Sequence, residues 1–186
     1  MTGPIADMIR RRHRFIMEHA EDFSKIGYPS AKTLKLQVEL PVRLKQLQVV
    51  RPYLREGCHV LDVGICLGVW SSLLSWLGYR VTGFEWGMVC DKNLVRRLHS
   101  DIEAYSLLYD REAWPLVSES VDVITMLDVI EHVHPPLAFF MQEVNRVLKP
   151  GGFLVIGTPN HASLRKRIYL LLGRSVYSPL REFIGS

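Results

Sequence analysis

Several absences narrow the field before any motif is considered. Three cysteines (Cys58, Cys66 and Cys90) in 186 residues are an odd number with no C-x-x-C spacing. That excludes a disulfide framework or zinc knuckle and fits a reducing compartment, with the cytoplasm as the expected location. Glycine and proline number 13 and 10, too few for a collagen-like or low-complexity chain. No apolar run approaches the roughly 18–20 residues needed to cross a bilayer. The N-terminal stretch MTGPIADMIRRRHRF has no apolar h-region, so it does not read as a secretory signal. What remains is 48% hydrophobic and 23% charged, enough to bury a sizeable core in one domain with a helical extension.

The net charge of +4 hides an uneven distribution. Residues 1–56 carry 11 Lys/Arg against 6 Asp/Glu, residues 57–150 carry 7 against 12, and residues 151–186 carry 5 against 1. An acidic middle therefore lies between two basic flanks. Basic flanks attract phosphate, nucleic acid or anionic lipid, and they also serve simply as solvated helix faces.

Residues 1–56 read as a helical extension. One helix is expected over 5–24, a break at Gly27-Tyr28-Pro29-Ser30, and one or two helices over 31–55 bounded by Pro41 and Pro52. From residue 57 the texture becomes that of alternating strands and helices. His59–Val63 is a short apolar strand, 68–77 a helix, and Arg80–Phe84 a second strand. A short helix near 88–95 and a weak strand near 96–99 follow. Residues 120–127 form a strong β-branched strand, 136–148 an amphipathic helix stopped by Lys149-Pro150-Gly151-Gly152, and 153–158 the next strand. Residues 162–172 form a basic amphipathic helix. Strands that are nearly unbroken apolar runs alternating with helices predict an α/β, Rossmann-like doubly wound sheet, mainly parallel and covered on both faces. Ligands of such sheets sit beyond the carboxyl ends of the strands.

Those ends carry the informative residues. After the first strand comes Asp62-Val63-Gly64-Ile65-Cys66-Leu67-Gly68, where glycine allows a tight turn and close approach of a cofactor to the main chain. Glu85 follows the second strand, 23 residues beyond Asp62, at the place where a carboxylate accepts hydrogen bonds from ribose hydroxyls. The pair points to an adenosine-type cofactor, nicotinamide dinucleotide or S-adenosylmethionine. The loop lacks a full G-x-G-x-x-G, and no Tyr-Lys pair of an oxidoreductase is recognisable.

Two further segments decide between them: Asp128-Val129-Ile130-Glu131-His132 after the fourth strand, and Arg146-Val147-Leu148-Lys149-Pro150-Gly151-Gly152 before the fifth. With the glycine loop, these resemble the class I S-adenosylmethionine-dependent methyltransferases over residues 57–173. The resemblance implies S-adenosylmethionine as cofactor, with Asp62, Gly64, Cys66 and Gly68 as the cofactor loop and Glu85 at the ribose. It implies Asp101 and Ile102 at the adenine, and Leu127 and Asp128 at the methionine end; Trp86 reads as a packing residue or, from its place next to Glu85, as a border of the adenosine. In the family the loop is D-x-G-x-G-x-G, and here Cys66 stands at the middle glycine, where φ > 0 is costly for cysteine. Cys66 and Cys90 are expected to be packing residues rather than nucleophiles, as are Trp70 and Trp76.

Asp128, Glu131 and His132 resemble the E-x-x-E-H metal segment of ubiquinone-biosynthesis O-methyltransferases and small-RNA 3′-terminal methyltransferases. The other reading is that Glu131 and His132 pin the loop beneath the cofactor by hydrogen bonds. No metal site is assigned. His132 is the candidate general base, because imidazole exchanges protons near neutral pH. The family's N/D-P-P-Y/F segment for nucleobase amines is absent, which disfavours nucleic acid. The expected acceptor is a small molecule, glycan or lipid precursor, methylated on oxygen or carbon.

Relatives of this fold complete their sheet with sixth and seventh strands, and no clear pair of strands follows Thr158. The expectation is a piece of a longer chain. The alternatives are that the C-terminal helix or a second copy, as a homodimer, covers the open edge. The basic helix with Arg165, Lys166 and Arg167 beside Ile168 and Leu170–Leu172 also suits peripheral membrane contact. The altered loop and missing strands leave one other class open, a catalytically inactive methyltransferase-like binding module.

Overall fold

The computed structural model describes residues 3–25, 28, 31, 35–86, 92–133, 137–160 and 164–173. The expected long first helix is two: α1 (Pro4–Glu18) and α2 (Ala20–Lys25), separated at His19. α3 (Leu36–Val50) runs through Pro41 rather than stopping there, and a 3-10 turn follows at Arg51–Tyr53. The proline forgoes one backbone bond without ending the helix. Beyond it come β1 (His59–Val63), α4 (Val69–Trp76), β2 (Arg80–Trp86) and α5 (Lys92–Leu98). Then follow β3 (Glu103–Leu107), β4 (Val121–Leu127), α6 (Leu137–Val147), β5 (Leu148–Gly157) and α7 (Leu164–Leu171).

The five strands form one sheet in the order β3-β2-β1-β4-β5, with every pairing parallel. The doubly wound architecture read from the sequence is thus the one observed. Alternation along the strands divides the core. Val60, Val81, Ala104 and Val123 face the α4 side, where Ile9, Ile16, Phe23, Leu47 and Val50 of α1 to α3 join the same cluster. Leu61, Val63, Phe84, Ile124 and Met126 face the other side, closed by Phe140, Val144 and Val147 of α6. Those three lie on one stripe of the helix, at i, i+4 and i+7.

One strand was misplaced by the sequence pattern. Residues 96–98 belong to α5, and the third strand is Glu103–Leu107. Leu94, Val95 and Leu98 are buried at helical spacing, a pattern that outweighs the local β character. Residues 88–91 of the expected 88–95 helix, Cys90 among them, lie outside the described residues. Trp76, expected to pack, is 47% exposed. α7 leaves Leu164, Ile168, Leu170 and Leu171 exposed. Among the described residues no helix is long and apolar enough to cross a membrane.

Candidate functional site

Beyond the carboxyl ends of β1, β2 and β4 opens a cavity of about 730 Å3. Asp62, Gly64, Cys66, Glu85, Trp86, Leu127, Asp128 and His132 all line it, so eight of the sequence-predicted residues meet in one space. Tyr28, Arg43, Trp70, Tyr109 and Glu131 also line it, with apolar surface from Ile65, Val129 and Val133.

The turn after β1 is built by its backbone. Gly64 has φ 80, Cys66 φ 49 and Gly68 φ 70. The Gly68 N–H donates to the Ile65 carbonyl at 2.7 Å, closing a turn whose first central residue is Cys66. A positive φ there is the glycine-favouring geometry of mirror-image turns. A Cβ at Gly64 would fall 2.4 Å from Val129 Cγ2, so that position also needs glycine for space.

Asp62 is buried beneath the turn, accepting from Ser71 Oγ of α4 and from Thr125 Oγ1 of β4 at 2.9 Å. Trp70 Nε1 donates to the same Thr125 oxygen at 3.2 Å. Burial pushes the Asp62 carboxyl up to about 7, against the opposing pull of its two hydroxyl partners. Glu85, 3% exposed, accepts the Cys66 N–H at Oε2 and the Trp86 N–H at Oε1, both at 2.8 Å. Burial raises its pKa too, while the Tyr28 hydroxyl and the two backbone donors draw it back. Cys66 is exposed within the cavity although the protein surrounds it, and this desolvation with the nearby Glu85 carboxylate raises its thiol pKa.

At the opposite wall Asp128 sits at φ 60, its N–H donating to Gly157 O at 2.8 Å. Partial desolvation, then the neighbouring Glu131, raise its pKa. Glu131 and His132 follow in a 3-10 turn and are exposed. Among the described residues no group of three or more His, Cys, Asp or Glu converges as a metal site would require.

Three predicted residues are not in this space. Gly68 caps the start of α4, packed behind the turn against Arg12 and His99. Asp101 and Ile102 precede β3, at the amino end of the sheet, because the third strand begins at Glu103. Asp101 lies 3.6 Å from the Arg12 guanidinium and its carbonyl accepts from Ser75 Oγ, while Ile102 packs over Gly83. The adenine assignment of these two residues is therefore corrected. The residue after the carboxyl end of β3 that reaches the cavity is Tyr109, its ring 5.0 Å from that of Trp86. A correct strand position would have found it. Tyr28 and Arg43 come from the helical extension, and no local signal marked them.

The sequence pattern described as "Methyltransferase domain" matches residues 61–156. The chain belongs to the class I S-adenosylmethionine-dependent methyltransferases. The chain is 35% identical over 119 residues to a ubiquinone biosynthesis O-methyltransferase of Paramagnetospirillum magneticum, a match covering 62% of this chain and 45% of that one. A ubiquinone biosynthesis O-methyltransferase of Coxiella burnetii is 30% identical over 149 residues, covering 78% and 61%. The chain thus spans about half the length of the curated relatives it matches. Among solved structures, an S-adenosylmethionine-dependent methyltransferase from Archaeoglobus fulgidus superposes with a TM-score of 0.56 at 18% identity, covering 77% of this chain and 64% of that one. One from Methanosarcina mazei gives 0.53 at 23%, covering 67% and 64%. These two likenesses are of fold. The cofactor of the family is S-adenosylmethionine, which removes the nicotinamide alternative.

Proposed function

We propose that this chain transfers a methyl group from S-adenosylmethionine to a hydroxyl of a small-molecule acceptor. The observation that carries it is a single cavity with a buried carboxylate, Glu85, at one wall and Asp128, Glu131 and His132 at the other. Glu85 retains acceptor capacity for ribose hydroxyls, since a carboxylate offers about four lone-pair sites. Arg43, the one arginine or lysine among the described lining residues, matches the cofactor's carboxylate. Leu127 and Asp128 flank the methionine end, and Trp86 with Tyr109 offers aromatic surface to the adenine. Asp62, whose oxygens already accept from Ser71 and Thr125, orders the loop.

Bound there, S-adenosylmethionine supplies an activated methyl group on a sulfonium. The chain has to align the acceptor oxygen in line with that methyl and remove its proton. His132 would accept the proton of the acceptor hydroxyl, the bound cofactor supplying the methyl group and leaving as the neutral thioether. The O-methyltransferase names of the curated relatives support oxygen over carbon.

Calorimetric titration with S-adenosylhomocysteine, with Asp62→Ala and Glu85→Ala alongside, tests the cofactor half. Binding that both substitutions weaken is expected, and a folded chain that does not bind overturns the reading. Transfer of labelled methyl to phenolic acceptors tests the other half. His132→Ala should lower kcat by about 10²–10⁴-fold with cofactor affinity retained, and an unchanged rate would remove His132 as the base.

A further inference from the structure

We propose that Arg12, on α1 of the helical extension, is a positioning residue of the cofactor site: its guanidinium holds the Cys66–Gly68 turn in the shape the cofactor meets. The inference rests on the reading of this cavity as the S-adenosylmethionine site.

The turn is gripped at two peptide groups, Ile65–Cys66 and Leu67–Gly68, on either side of the Cys66–Leu67 peptide. On one side Glu85 Oε2 takes the Cys66 N–H at 2.8 Å. On the other, Arg12 Nε and Nη2 both donate to the Leu67 carbonyl, at 3.1 and 3.0 Å. Nη2 also reaches the Leu98 carbonyl at 3.1 Å and His99 Nδ1 at 3.0 Å. Because Nδ1 accepts from Arg12, His99 carries its proton on Nε2. Burial and the adjacent guanidinium hold His99 neutral, pushing its pKa down to about 3.

Arg12 is only 8% exposed. Burying a guanidinium is costly unless each donor finds an acceptor. If the contact served only to attach α1 to the domain, apolar side chains would suffice, as Ile9 and Ile16 of the same helix do. The arginine instead reaches through the packing to one carbonyl of the cofactor loop. Gly68 leaves the space for it: a Cβ there would lie 2.4 Å from Arg12 Nη2 and 2.5 Å from His99 Nδ1.

Cys66 gives the clamp a purpose. At φ 49 it occupies a conformation that an L-residue resists and glycine does not. Holding the neighbouring carbonyl fixes the turn against that resistance. Arg12 and Cys66 should therefore be energetically coupled, although the two side chains serve opposite sides of the loop. Arg12 does not line the cavity and acts through the turn alone.

The test is a double-mutant cycle read by S-adenosylhomocysteine affinity. Arg12→Met should weaken binding about tenfold or more with the far-UV spectrum unchanged, and Arg12→Lys should retain part of the affinity through one remaining donor. Adding Cys66→Gly to Arg12→Met should restore about threefold or more, a recovery that a purely fold-holding role does not give. Folded Arg12→Met with wild-type affinity overturns the proposal, as does an equal loss in the Cys66 and Cys66→Gly backgrounds. Should Arg12→Met fail to fold, Arg12→Lys carries the same comparison in both backgrounds. If Glu85→Ala weakens binding and the Arg12 variants do not, the clamp alone fails. If the wild-type chain does not bind, or Glu85→Ala binds as tightly as wild type, the cofactor reading fails and the proposal with it.

Discussion

At Gly64 and Cys66, two residues apart in one turn, added and removed side chains should have opposite effects. Gly64 combines φ 80 with a neighbour, Val129 Cγ2, at 2.4 Å from any Cβ. Gly64→Ala must strain the backbone and push Val129 out of its packing, for a loss of about 2–4 kcal/mol. Cys66→Gly relieves a left-handed residue worth roughly 1–2 kcal/mol, less about 0.5–1 kcal/mol for glycine's freedom in the unfolded chain. A net gain of about 0.5–1 kcal/mol should raise the melting temperature by roughly 1–4 °C. Thermal melts of both variants check this. A Cys66→Gly chain that melts below wild type would mean that the thiol packs more than it strains. The sequence announced this turn well: the positions flagged by the motif, including the departure at Cys66, are the ones found at positive φ.

Elements were legible where the pattern was local and lost where it was not. β1, β4 and α6 are apolar runs or stripes bounded by turn residues, and they lie within a residue or two of where periodicity puts them. β3 was not. Glu103-Ala104-Tyr105-Ser106-Leu107 has an exposed first residue and lies at the sheet edge, so its strand character comes from pairing with β2 rather than from its own side chains. The misplaced strand carried Asp101 and Ile102 to the wrong end of the sheet and hid Tyr109. Tyr28 and Arg43 reach the cavity across long sequence separations, which no window-based pattern encodes. The corrected placement makes a contrast. Asp101→Asn should leave S-adenosylhomocysteine affinity within about twofold, whereas Tyr109→Leu should weaken it about threefold to tenfold through the lost aromatic surface. The opposite order in a titration would return the adenine to the amino end of β3.

Over the whole molecule, burial shifts carboxyl and imidazole groups in opposite directions, favouring the uncharged form of each. Burial raises Asp62 to about 7 and also raises Glu85. Burial lowers His99 to about 3 and also lowers His59. A carboxyl that keeps its proton more tightly folded than unfolded makes stability fall as pH rises from its unfolded value near 4 towards 7. A histidine that binds its proton less tightly folded makes stability rise with pH from about 3 to its unfolded value near 6.5. Each contributes a slope of up to about 1.4 kcal/mol per pH unit, and over roughly pH 4–6.5 the Asp62 and His99 slopes oppose one another. Removing either should expose the other. Asp62→Asn should gain stability as pH rises from about 4.5 to 6.5, and His99→Gln should lose it over the same range, relative to wild type. Urea unfolding at three pH values in that range measures both. Parallel profiles for the two variants would mean that neither group stays neutral in the fold. Divergent profiles would establish that Asp62 holds its proton more tightly, and His99 less tightly, in the fold than in the unfolded chain.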